Sequence, residues 1–251
     1  MIYQMGKVGS RTLHDSLETQ YGKERVFHVH NHKKAQEKIT QWSQNHSNKV
    51  IVITGFREPL NRCISAYFQN LTNEKNYWFV GEKKSVLEKN IDWFIHDYNM
   101  KIIPHINLAI KPWLERYESV IGYQLSNFYK MGTYWKASKD NIYFYIYKLE
   151  TFTEFSQEIS NNSLFKNIRF INKNIGSEKW YGKLYQEFKQ KFKISANNYN
   201  KLYKEIDYVQ YLYSDEEIEN LIKPFLLPAG SVKNTWQSDN IIPRAGNGRK
   251  T

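Results

Sequence analysis

The chain has 251 residues, enough for one α/β domain with decorations and enough to bury a core without covalent staples. A hydrophobic share of 41% excludes a disordered chain, and a single cysteine, Cys63, excludes an internal disulfide or a cysteine-rich metal centre. Lys plus Arg number 36 against 25 Asp plus Glu, and the resulting +11 suits a polyanionic partner: nucleic acid, an anionic glycan or a multiply phosphorylated small ligand.

In chain order, Ile2 to Met5 reads as a short buried strand and Gly6 to Ser10 as a turn. Thr12 to Tyr21 reads as a helix, with Leu13, Leu17 and Tyr21 at four-residue spacing. Arg25 to His30 alternates as a strand does, and Lys33 to Asn45 is polar and helical. Val50 to Thr54 is a β-branched run, expected as a central strand buried on both faces. Pro59 opens the next helix at its first position, where a missing N–H costs nothing. Leu60, Cys63, Ile64, Tyr67, Phe68 and Leu71 form its apolar stripe. Val86 to Tyr98 and Ile106 to Tyr117 read as helices, Asn141 to Tyr147 as a strand, Phe152 to Ile159 and Glu178 to Phe192 as helices. Ser214 caps a last helix that runs to about Lys223. This order predicts an α/β, P-loop-like three-layer fold, with a central mostly parallel sheet flanked by helices. Residues 1–228 are expected as one domain and 229–251 as a loose basic tail.

No apolar run is long enough for a bilayer span, and the N-terminus lacks the pattern of a signal peptide, so the expected location is cytoplasmic. The first motif begins almost at the N-terminus, which leaves an upstream anchor open.

Two segments carry chemistry. In Tyr3-Gln-Met-Gly-Lys-Val-Gly-Ser-Arg-Thr12 a strand runs through a glycine turn into a helix. Backbone N–H groups in such a turn, with the positive end of the helix behind them, form an anion site. Gly6 and Gly9 permit close backbone approach, and Lys7 can reach a phosphate oxygen. The spacing is not that of a Walker loop, and the next core strand lacks a terminal Asp for Mg²⁺, which disfavours an ATPase, a GTPase or a kinase-like phosphotransferase. In the second segment, Thr54 to Tyr67, Arg57 ends the central strand and Ser65 follows eight residues later, so a fixed cation and a hydroxyl can converge on one phosphate. Arg62, four residues after Glu58, is expected to pair with it.

Lys-Val-Gly-Ser-Arg-Thr (7 to 12) resembles the 5′-phosphosulfate loop of the PAPS-dependent sulfotransferases. Arg-Glu-Pro-x-x-Arg-x-x-Ser-Ala-Tyr (57 to 67) resembles their 3′-phosphate motif. The Gln-Met-Gly start is most similar to the bacterial capsular-polysaccharide-synthesis, sulfotransferase-like group. Tyr147-Lys-Leu-Glu-Thr-Phe152 and Tyr213-Ser-Asp-Glu-Glu-Ile218 are weaker echoes of the same family. Met5 departs from the family's proline, and Arg11 from its second hydroxyl residue.

The resemblance implies transfer of a sulfuryl group from PAPS (3′-phosphoadenosine-5′-phosphosulfate) to a hydroxyl, on a carbohydrate or polysaccharide, leaving PAP as product and requiring no metal. It implies that Lys7 and the backbone of Gly9, Ser10, Arg11 and Thr12 hold the 5′-phosphosulfate, and that Arg57 and Ser65 hold the 3′-phosphate. An acceptor hydroxyl needs a base near neutrality, and Phe27-His-Val-His-Asn-His32 supplies three histidines, of which His30 is favoured over His28 and His32. Tyr67, Trp78, Trp113 and Trp135 could stack on sugars, but packing is the stronger expectation for each. The rival reading outside this enzyme class is a non-catalytic basic module that binds nucleic acid, although no nucleic-acid-binding signature is present.

Overall fold

The computed structural model describes residues 1–45, 48–165, 168–170, 179–195, 198–200, 203 and 206–228; the basic tail expected beyond 228 lies outside them. β-Branched and aromatic residues make the two longest strands, β3 (Val50–Phe56) and β6 (Ile142–Lys148), which pair in parallel along their whole length. Alternate side chains divide between the two faces of the sheet. Val50, Val52, Phe144 and Ile146 enter one apolar cluster, while Ile53, Tyr145 and Tyr147 enter the other.

Two short parallel strands, β1 (Ile2–Tyr3) and β2 (His28–Val29), extend the sheet on the far side of β3. A hairpin extends it beyond β6, with β5 (Tyr134–Lys139) antiparallel to β6 and β4 (Tyr129–Met131) antiparallel to β5. The sheet order is therefore β2-β1-β3-β6-β5-β4. The mostly parallel α/β expectation holds in this form. The antiparallel hairpin was absent from it, because Lys130, Lys136 and Lys139 break the apolar alternation that marks a strand.

Helices cover both faces. α1 (Ser10–Tyr21) and α7 (Phe152–Ser160) pack Leu13, Leu17, Phe155 and Ile159 against the Ile53–Tyr145–Tyr147 face. The other face carries α2 (His32–Ser43), α3 (Pro59–Asn70), α5 (Ile91–Lys101), α6 (Ile106–Ile121) and α8 (Gly182–Lys191). The predicted stripe of α3, from Leu60 to Leu71, is fully buried. The stretch read as one helix from Val86 is two, α4 (Lys83–Leu87) and α5, because Asn90 stops the first and caps the second by accepting from Trp93 N–H. α9 (Asp207–Leu212) and α10 (Asp215–Ile222) close the described chain. Ser214 and Glu217 form the reciprocal cap that opens α10, as expected from Ser-Asp-Glu-Glu.

From β1 the chain moves one way to β2 and the other way to β3, with α1 and α2 on opposite faces. That reversal makes a topological switch point at the carboxyl ends of β1 and β3, the place where open α/β sheets bind ligands. Gln4 joins the two strand ends: its buried Oε1 accepts from Gly55 N–H at 2.7 Å. Thr54 Oγ1 donates to the Tyr3 carbonyl at 2.8 Å.

Gly55 is required here because a Cβ would stand 2.6 Å from the Tyr147 ring and 2.8 Å from Gln4 Oε1. Gly55→Ala is expected to destabilise the protein by roughly 1–3 kcal/mol, the usual range for overpacking. Denaturant unfolding of the two proteins checks this; equal midpoints would refute the close packing of Gly55, Tyr147 and Gln4.

Candidate functional site

Between β1 and α1 the backbone turns left-handed twice, at Lys7 (φ 74°) and at Gly9 (φ 78°). A lysine in that region is strained, and such strain concentrates at ligand sites. The turn is held from below: the Tyr147 hydroxyl donates to the Val8 carbonyl at 2.7 Å. Gly9 has a further constraint, since a Cβ there would meet Leu149 Cδ1 at 2.8 Å. α1 then begins at Ser10 with no side-chain cap, so its first N–H groups carry the partial positive charge of the helix end without a protein acceptor from a capping side chain. Ser10 is half-buried, Arg11 exposed and Thr12 buried.

Arg57 follows β3 directly, and the Tyr208 hydroxyl donates to its carbonyl at 3.3 Å. The carboxylate of Glu58 then caps α3, accepting from Leu60 N–H and Asn61 N–H at 2.7 Å each and from Asn61 Nδ2 at 2.6 Å. It is fully buried, and burial raises its pKa to about 7 against the pull of those hydrogen bonds. The expected Arg62–Glu58 ion pair is not formed, because the carboxylate is spent on the helix end. Instead Arg62 has Nε and Nη1 buried without a hydrogen-bond partner among the described residues. Ser65 is half-buried on α3, one turn beyond Arg62.

These groups share one electrostatic environment. Burial first, then Arg62, Lys179, Arg11 and Arg57, bring the Lys7 ammonium down to about 8. No carboxylate lies within ion-pair distance of Lys7, Arg11, Arg57 or Arg62 among the described residues. Like charges gathered in this way, beside an uncapped helix end, give a local positive potential of the kind that suits an anion. Sequence reasoning named Lys7, Arg11 and Arg57 but missed Lys179, which comes from far along the chain and has no local motif. It also misread Arg62, although Glu58-Pro59 at a helix start was a readable sign that the carboxylate belongs to the cap.

The two weaker family echoes meet at the same edge of the sheet. Glu150 Oε1 accepts from Glu58 N–H at 2.9 Å, and its Oε2 accepts from the Tyr213 hydroxyl at 3.0 Å. Lys148, buried at the end of β6, pairs with Glu217 of α10 and lies 5.0 Å from the Tyr213 ring centre.

The histidines lie beside the first loop. His30 Nδ1 is 2.6 Å from the Gln4 carbonyl, an obligate acceptor, so Nδ1 carries the hydrogen and the neutral ring keeps its lone pair on Nε2. His30 is exposed; its ring meets that of His28 edge-on at 4.6 Å, as expected for alternate residues on one side of the chain. Burial, then His30, His14 and Arg11, lower His28 to about 4, so it stays neutral near pH 7 and is a poor base. The His32 Nδ1 is engaged with the Tyr3 hydroxyl. On α1, His14, Asp15 and Glu18 bring potential ligand atoms within 4.8 Å of one another, and His14 lies 5.3 Å from His28, centre to centre.

The aromatic candidates read as packing. Tyr67 is buried and donates to Asp97 at 2.7 Å, Trp135 is buried, and Trp113 stacks on Tyr117 at 5.2 Å. A cavity of about 770 Å³ lies where the strands begin, lined by Met1, Val26, Val50 and Ile51, and includes none of the cations described above. No helix among the described residues is long and apolar enough to cross a membrane. Comparison of the chain with known protein families, curated proteins and solved structures gives no match.

Competitive acylation across a pH series is expected to give Lys7 a titration midpoint near 8, below the ordinary value for a lysine side chain of about 10.4. An ordinary midpoint for Lys7 would mean that the cations are not gathered around it.

Proposed function

We propose that this chain is a PAPS-dependent sulfotransferase with a P-loop-like site, acting on a carbohydrate hydroxyl. The observation that carries the reading is the meeting of two motif segments, the Lys7–Thr12 loop and the Arg57–Ser65 segment, at the carboxyl ends of β1 and β3 in an environment of positive charge that no carboxylate among the described residues pairs with. The residues fit the donor. A nucleotide with phosphates at both the 5′ and 3′ positions brings negative charge to Lys7, Arg57 and the uncapped α1, near which no carboxylate among the described residues forms an ion pair.

When bound, PAPS supplies the sulfuryl group. Lys7 and the backbone from Gly9 to Thr12 would hold its 5′ side, and Arg57 with Ser65 its 3′-phosphate. Lys7 neutralises charge on the departing phosphate oxygen, which requires the ammonium form. The His30 Nε2 lone pair takes the proton of the acceptor hydroxyl, while the bond from Nδ1 to the Gln4 carbonyl fixes the tautomer and helps to stabilise the imidazolium. The high positive charge of the chain favours an anionic glycan as acceptor.

Calorimetric titration with PAP is expected to show micromolar binding that weakens at least tenfold in Lys7→Ala and in Arg57→Ala, with ATP-Mg and 5′-AMP much weaker. No PAP binding by folded wild-type protein would sink the reading. PAP affinity is expected to fall as pH rises through about 8, because Lys7 loses its charge there; Lys7→Arg, which stays charged, should flatten that decline. His30→Ala should leave PAP affinity within about twofold and lower turnover roughly 100-fold or more, as loss of a general base does.

A further inference from the structure

The peptide bond between Arg57 and Glu58 lies between two elements: β3 ends at Phe56, and α3 begins at Pro59, which has no N–H to give. Its two polar groups belong to neither element, and each needs a partner from elsewhere. Both find one in side chains from far along the chain. The Tyr208 hydroxyl donates to the Arg57 carbonyl at 3.3 Å, and the Glu58 N–H donates to Glu150 Oε1 at 2.9 Å. Glu150 is itself held, since its Oε2 accepts from the Tyr213 hydroxyl at 3.0 Å. A carboxylate makes a stronger bond than a neutral acceptor, and this one cannot swing away without losing Tyr213. The start of α3 has its own cap: the Glu58 carboxylate accepts from Leu60 N–H and Asn61 N–H, and the apolar stripe of the helix is buried. What Glu150 fixes is the plane of one peptide, and with it the direction in which the Arg57 side chain leaves the backbone.

We propose that Glu150 is a positioning residue: with Tyr208 it clamps the Arg57–Glu58 peptide and so aims the Arg57 guanidinium at its ligand. That this ligand is the 3′-phosphate of the donor rests on the sulfotransferase reading. Glu150 itself does not touch the ligand, and its whole effect passes through Arg57. A displacement of about 1 Å in a positioned group can cost roughly 100-fold, so a slack peptide at this point matters. A residue that only supports the fold weakens every ligand alike. Glu150 weakens a ligand that Arg57 holds, and does so only while Arg57 is present.

The test is a double-mutant cycle by calorimetry, with PAP and adenosine 5′-phosphosulfate, which lacks the 3′-phosphate, as probes. Glu150→Ala is expected to weaken PAP binding by about fivefold or more while changing the second probe by less than about twofold. Glu150→Gln, which keeps an oxygen for the Glu58 N–H, should recover most of the loss. In an Arg57→Ala background, Glu150→Ala should cost less than about a further twofold. Tyr213→Phe removes only the hydroxyl that steadies Glu150; it should weaken PAP in the same selective way, and it replaces Glu150→Ala in the cycle if that variant does not fold. Wild-type PAP affinity in the folded variant, an equal loss for both probes, or the full loss recurring without Arg57 would each overturn the proposal while leaving the donor reading intact. If folded wild type binds no PAP, the donor reading falls and this role of Glu150 falls with it.

Discussion

Like charges repel, and among the described residues four cationic side chains lie within electrostatic reach of Lys7. Everything around the carboxyl edge of the sheet bears on that constraint. The Lys7 turn is pinned by Tyr147 to the Val8 carbonyl, and the strand ends are joined through Gln4 to Gly55 and through Thr54 to Tyr3. Arg57 is fixed through its own carbonyl by Tyr208. Glu58 could have relieved the repulsion, but its oxygens hold the start of α3 instead. The scaffold thus holds the charges in place with neutral hydrogen bonds, while burial strengthens the repulsion they must withstand.

The histidines divide by environment. One ring nitrogen of His30 is fixed by a backbone carbonyl, and the ring faces solvent. His28, two residues earlier, has its Nε2 buried without a partner among the described residues and is held neutral. Residues of identical chemistry, in contact with one another, therefore differ in what they can do. The difference comes from a carbonyl of the first loop and from the depth of the second strand.

Much of this was legible in the sequence because it is local. The glycine turn, the β-branched central strand, Pro59 at the helix start and the apolar stripe of α3 each rest on a few neighbouring residues, and each falls where expected. The hairpin from Tyr129 to Lys139 was not legible, since its strands are short, partly exposed and lysine-bearing. α9 gave no signal because six residues are too few to show a helical period. At the site, the positions of Lys7 and Arg57 followed from spacing, whereas the arrival of Lys179 depends on packing across the whole chain. Arg62 was misjudged for a different reason: the four-residue pairing rule counts charges on a helix face and does not ask whether the acid is already committed to the backbone.

The attachment of the last two helices has a consequence for synthesis on the ribosome. Tyr208 of α9 holds the Arg57 carbonyl, Tyr213 holds Glu150, and Glu217 of α10 answers the buried Lys148. The glycine turn and Arg57 emerge early, yet the groups that secure the second segment lie more than 140 residues later. A nascent chain that stops short of α10 can form the sheet's first strands but leaves Lys148 without its acid and Arg57 without its tether. Completion of this edge of the sheet is therefore a late event in the life of the polypeptide, reached only when almost all of the described fold is free of the exit tunnel.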